Sequence, residues 1–104
     1  MASEAKRYAS FTDFYPFYLS EHANRTCRRL HFAGTSLGLA CLALAAVTQN
    51  AWWILAGLVT GYAFAWAGHY FFEKNRPATF TYPFYSFLGD WVMWKDTLAG
   101  KIKL

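Results

Sequence analysis

The chain has 104 residues, room for one domain, and is 56% hydrophobic and 21% aromatic with only 15% charged residues, where a soluble domain usually carries about 25%. Its net charge is +4, but the basic residues flank apolar runs and no recognition motif accompanies them, which argues against nucleic acid as a partner. Two cysteines, Cys27 and Cys41, exclude a disulfide framework and read as free thiols.

Residues 1 to 10 form a polar arm, and no apolar segment of signal-peptide type follows it. Next, Phe11, Phe14, Tyr15, Tyr18 and His22 recur at three- and four-residue spacing. That period predicts an amphipathic aromatic helix lying in a membrane interface, capped by Thr12 or Asp13 with Pro16 in its first turn. Asn24 is placed to cap the following helix.

From Leu30 to Phe72 there is no Asp, Glu, Lys or Arg. The polar pair Gln49-Asn50 divides this run into two stretches, each close to the length of a membrane span. The expected fold is therefore an all-α membrane protein, a single membrane-embedded domain over residues 1–104. At its centre is a two-helix transmembrane hairpin, about 30–48 and 51–73. A soluble hairpin buried in a larger core is disfavoured, since the remaining chain is too short to cover both helices. Arg25, Arg28 and Arg29 precede the hairpin and Lys74 and Arg76 follow it, while the turn carries no charge. This positive-inside pattern places both termini in the cytoplasm, with Trp52 and Trp53 at the far interface. Beyond the breakers Pro77 and Pro83, the spacing of Phe84, Phe87, Leu88, Trp91, Trp94 and Leu98 predicts a second interfacial helix, interrupted by Asp90.

An antiparallel hairpin turning at residues 49 and 50 sets His31 and His69 at nearly equal depth. Gly57, Gly61, Ala65, His69 and Glu73 form one stripe on the second helix, and His31, Gly34 and Gly38 form another on the first. Both contain GxxxG, with Gly38 expected level with Gly61, in a helix–helix contact within the chain or in a homo-oligomer. A fold at Asn24 would bring His22 over the other two histidines. Ionisable residues near a membrane are functional candidates. Three imidazoles suit a metal such as Fe or Zn, between which the ligand set does not choose. Glu73 lies one turn from His69 on the same face, and Glu21 adjoins His22. Cys27, four residues before His31, could join the histidines but is more simply an interfacial thiol. The arginines are topology anchors, with the sharper reading that one of them holds a substrate carboxylate.

YLSEHANRTCRRLHFAGTSL at 18–37 and WAGHYFFEKNRPATF at 66–80 resemble the signature blocks of small membrane proteins related to the fungal 2-hydroxy fatty acid dioxygenase, the Mpo-like family. The resemblance covers about residues 8 to 98 and is to the short bacterial type. It implies a multi-pass enzyme of the bacterial inner membrane that binds Fe(II) through His22, His31 and His69. The implied substrate is a 2-hydroxy fatty acid, shortened by one carbon in α-oxidation. With fewer histidines than the fungal pattern, Glu73, Glu21 or water would complete the coordination sphere. The short segment between the blocks gives two spans in place of four. Arg25 and Arg76 are candidates for the substrate carboxylate, and Phe11, Tyr15, Phe72 and Trp91 for a groove around the acyl chain. Two other readings stand beside this one. One is a zinc-dependent membrane lipid hydrolase. The other is a non-enzymatic helix-packing protein or lipid binder, in which Gly38→Leu or Gly61→Leu would abolish assembly.

Overall fold

The structure is a computed structural model that describes residues 8–104; the first seven residues of the polar arm lie outside it. All regular structure among the described residues is helical. It comprises α1 (Phe11–Ser20), α2 (Arg25–Thr48), α3 (Trp52–Ala67), a π-helical turn (Gly68–Glu73), a 3-10 turn (Ala78–Phe80) and α4 (Pro83–Leu98).

Local chemistry fixes the helix ends. Ser10 is extended and its Oγ accepts from Asp13 N at 3.2 Å. The cap therefore precedes the expected Thr12 or Asp13, and Pro16 falls in the second turn. Asn24 caps α2, its Oδ1 accepting from Cys27 N at 3.1 Å. After Thr48 the chain turns through Gln49, in the left-handed region at φ 59°. Asn50 Oδ1 then accepts from Trp52 N at 3.0 Å and starts α3.

The antiparallel pair α2–α3 is held by close backbone approach. A Cβ added to Gly34 would fall 2.8 Å from Phe64 Cβ and 3.1 Å from Gly61 O; one added to Gly57 would fall 3.0 Å from Cys41 Cβ and 3.2 Å from Gly38 O. The pairs in contact are thus Gly34 with Gly61 and Gly38 with Gly57. This corrects the expected level pairing of Gly38 with Gly61 by one turn. The observed register seats two glycine pairs, whereas the expected one would seat only one. The same approach continues to Gly68, whose added Cβ would lie 3.0 Å from Cys27 Sγ. At Gly38 and Gly61 themselves an added Cβ meets nothing closer than 3.5 Å, so these are not the positions where bulk breaks the hairpin.

The aromatic face of α1, expected to lie in the interface, packs on α4 instead. Phe14 and Tyr18 are buried, and Phe14 stands 5.1 Å from the Tyr82 ring and 5.5 Å from the Tyr85 ring. Gly89 admits the Tyr18 ring, whose carbons would lie 2.9 Å from an added Cβ. Tyr15 OH donates to Asp96 Oδ2 at 2.8 Å. On its other side α4 meets α2, where Trp94 Nε1 donates to Ser36 Oγ at 3.0 Å.

The molecule is elongated, 49 × 26 × 26 Å. The α2 helix is the one described helix long and apolar enough to cross a membrane, and only 11% of its most apolar stretch is buried. The second apolar stretch is no continuous α-helix, since α3 ends at Ala67 after 16 residues and gives way to the π turn.

Gly34→Val or Gly57→Val is expected to cost about 1–3 kcal/mol by overpacking, seen as a lowered melting temperature in detergent, with Gly38→Ala nearly neutral. The Tyr15 hydroxyl holds the Asp96 carboxyl below its ordinary value of 3.8. A carboxylate depressed by folding stabilises above its unfolded pKa and loses that contribution as pH falls through its folded value. Tyr15→Phe should therefore destabilise by about 1 kcal/mol at neutral pH. The deficit should shrink below the ordinary aspartate range in acid unfolding curves.

Candidate metal centre

Three elements deliver one histidine each. His22 lies in the turn after α1, His31 is in the second turn of α2, and His69 sits in the π turn. Side chains on a helix lean toward its N-terminus. In an antiparallel pair His31 and His69 therefore lean toward each other, which closes the one-turn offset set by the glycine register. The π turn adds to this, since such turns re-aim side chains and concentrate at functional sites. His69 O accepts from the backbone N–H groups of Lys74 and Asn75, with Lys74 left-handed at φ 62°. The chain thus curls around the histidine.

The ring nitrogens divide cleanly into two sets. Every Nδ1 faces an acceptor: His22 Nδ1 lies 2.6 Å from Tyr18 O, His69 Nδ1 2.7 Å from Asn75 Oδ1, and His31 Nδ1 3.5 Å from Asp90 Oδ1. The close acceptors of His22 and His69 place their protons on Nδ1 and leave their Nε2 lone pairs free. All three Nε2 atoms then converge, His22 to His31 at 3.1 Å and His31 to His69 at 3.2 Å. The imidazoles are 1%, 4% and 2% exposed, so water does not separate them. Burial, and then the neighbouring His31, push the His22 imidazole well below its ordinary value, which keeps it a neutral donor at neutral pH.

Facing lone pairs repel unless a cation lies among them. One shared proton bridges only one pair of nitrogens at a time, whereas a metal ion engages all three. Nitrogens bound at about 2.1 Å to one ion stand about 3.0 Å apart at right angles and about 3.4 Å apart at the tetrahedral angle. The observed spacings match that range. Cys27 joins the group: its Sγ and the three imidazoles offer ligand atoms that all lie within 4.8 Å of one another, on four buried residues. This buried cluster can hold a metal ion.

The outer partners are themselves anchored. Asp90 Oδ1 accepts from Tyr18 OH, and burial together with the Asp90 charge holds that phenol well above its ordinary value, so it remains a donor. Asn75 Nδ2 donates to Glu21 O at 3.1 Å and to Glu21 Oε1 at 3.3 Å, which orients its amide oxygen toward His69. Such outer contacts fix the tautomer and aim of metal-binding histidines.

Several expected site residues are placed elsewhere. The Glu73 carboxylate accepts from the Asn24 backbone N–H and so caps α2. Glu21 is engaged by Asn75, and neither carboxylate joins the cluster. Arg25 is exposed at the start of α2, and the Arg76 guanidinium lies 4.9 Å over the Phe80 ring. The arginine at the edge of the cluster is Arg28, which donates to the carbonyls of His22, Ala23 and Lys103 at 3.2, 2.7 and 3.0 Å. Neither Asp90, read in the sequence only as an interruption of the last helix, nor Asn75 is marked there as a site residue. A lone carboxylate on an otherwise apolar helix face was the available signal for Asp90; no local pattern marks Asn75.

A family model described as 2-hydroxy-palmitic acid dioxygenase Mpo1-like matches residues 8–102. No curated protein and no solved structure matches the chain.

Asn75→Ala and Asp90→Ala each leave the three histidines in place but remove an acceptor facing an Nδ1. Each is expected to weaken metal affinity about 10- to 100-fold, measured by competition with a chromophoric chelator. An unchanged affinity in both would show that these contacts do not orient the ligands.

Proposed function

The chain belongs to the Mpo1-like family, and on that premise we propose that it is an Fe(II)-dependent dioxygenase acting on 2-hydroxy fatty acids at a membrane surface. The observation that carries this reading is the convergence of three buried imidazole Nε2 atoms at 3.1 and 3.2 Å. Three protein donors would leave positions on an iron ion for a chelating substrate and for oxygen. When bound, iron would supply the electrophilic and redox chemistry that lets oxygen react with a 2-hydroxy acid.

The chain's own residues do the rest. His22, His31 and His69 hold the ion, while Tyr18 O, Asp90 and Asn75 fix their orientation. Asp90, 17% exposed, contributes negative charge beside the site, which balances the bound cation. The substrate's hydroxyl and carboxylate form a natural chelate. Its carboxyl carbon leaves as carbon dioxide and C2 becomes the carboxyl carbon of the shortened acid. Dioxygen accepts the four electrons, and the products are the shortened acid, carbon dioxide and water.

A membrane setting for the hairpin is part of the proposal. Leu39, Leu44, Val47, Leu55 and Val59 point outward at 38%, 39%, 81%, 50% and 61% exposure, a surface that water disfavours and acyl chains accept. The run from Trp52 through the π turn to Glu73 would accompany α2 across the bilayer. Both termini would then lie on the side of the histidines, the cytoplasmic side of a bacterial inner membrane.

Cys27 favours one other reading. With its thiolate as fourth donor, three imidazoles and a sulfur make a closed tetrahedral zinc site.

The test is oxygen uptake by anaerobically purified protein loaded with Fe(II) or Zn(II) and given 2-hydroxypalmitate. The dioxygenase reading expects oxygen consumption and a one-carbon-shorter acid in equal amounts with iron, and neither with zinc. A Cys27→Ser variant that binds iron and turns over normally would set aside the closed zinc site. No uptake with either metal would overturn the dioxygenase assignment.

A further inference from the structure

A cavity of about 170 Å³ begins at His31 and Asp90 and runs along the α2–α3 seam. Its walls pass Gly34, Gly38, Gly57 and Gly61, with Phe87 and Trp91 of α4 on one side, and its farthest lining residues are Leu42 and Ile54. Phe11, Tyr15 and Phe72, expected around an acyl chain, do not line it; Phe11 and Tyr15 belong to the α1–α4 cluster.

The four glycines have separate tasks. Side chains at Gly34 or Gly57 would strike the opposite helix at 2.8 to 3.2 Å, so these two are needed for packing. At Gly38 and Gly61 an added Cβ meets its nearest neighbour only at 3.5 and 3.6 Å. Packing alone does not require glycine there, yet both positions line the cavity. Their missing side chains are what keeps the seam hollow.

We infer that this groove seats the substrate's unbranched acyl chain, with Leu42 and Ile54 as the end stop that sets chain length. The inference rests on the lipid reading of the metal centre and deepens it. One end of the groove is polar, at His31 and Asp90, and the remainder is apolar, which matches a single amphiphile with its headgroup at the histidines. From His31 to Leu42 the helix rises about 16 Å. With C–C bonds of about 1.5 Å, an extended alkyl chain advances about 1.3 Å per carbon, so the groove takes about 12 carbons beyond the 2-hydroxy acid head. A leucine at position 38 would close it about 10 Å from His31, leaving room for about 8 carbons.

The test uses full-length protein, metal-loaded and kept anaerobic so that no turnover occurs. Affinities of 2-hydroxy acids from 8 to 18 carbons are measured by displacement of a chain-brominated fatty acid that quenches Trp91, with Trp91→Phe defining the background. Wild type should gain affinity with length up to about 14 carbons and then level off. Gly38→Leu should level off about four carbons earlier, and Gly38→Ala should shift less in the same direction; the alanine variant keeps the test valid if leucine prevents folding. Val59→Phe, on the lipid-facing surface, should leave the profile unchanged. An unaltered length profile in both folded Gly38 variants would overturn the groove and leave the cavity to a resident bilayer lipid. Length-dependent binding that shifts as expected, in a protein without oxygen uptake, would keep the groove and remove the dioxygenase reading.

Discussion

Everything at the metal centre depends on how closely α2 and α3 approach. Glycine against glycine, at Gly34–Gly61 and Gly38–Gly57, lets the two backbones touch, and Gly68 extends that contact to Cys27. With side chains at Gly34 or Gly57 the helices would separate, and imidazoles reaching from opposite sides would no longer meet at 3.2 Å. The GxxxG faces are thus used within the chain. The same seam that aligns the histidines also leaves the cavity beside them, because only two of the four glycines fill their space with a neighbour's backbone.

The remainder of the fold holds the histidines in orientation. His22 is tied to its own helix end, His69 to the strand of chain that curls back through Asn75, and His31 to a carboxylate from α4. These contacts connect segments far apart in sequence, and Arg28 closes the circuit by binding carbonyls of the α1–α2 link and of Lys103. A buried polar group is costly unless satisfied. In this cluster the Nδ1 atoms of His22 and His69 have close acceptors, that of His31 faces Asp90 at 3.5 Å, and the three Nε2 atoms meet at 3.1 and 3.2 Å. That arrangement is what a cation requires.

Much of this was legible in the chain. The uncharged run from Leu30 to Phe72, the polar pair at its middle, the cap at Asn24 and the small-residue stripes come directly from residue chemistry. The register did not, because depth counted from the turn ignores the lean of side chains toward each helix's N-terminus; glycine contact, not the turn, sets it. The π turn left no sequence mark beyond Gly68. The aromatic face of α1 read as a membrane anchor because its period says which residues share a face but not what covers them. Tyr18, Tyr15 and Phe14 turn inward because α4 offers Asp90, Asp96 and a glycine at position 89. Glu73 shares the stripe of His69 in sequence, yet its carboxylate goes to the nearest uncapped N–H, that of Asn24.

The central claim is that three histidines hold one metal ion. Elemental analysis of protein purified without oxygen, for wild type beside His22→Ala, His31→Ala and His69→Ala, tests it most directly. The account predicts about one iron per chain in wild type and its loss in each variant, with helical content retained. Wild-type protein that takes up no metal even after incubation with Fe(II), or single variants that keep full occupancy, would contradict it.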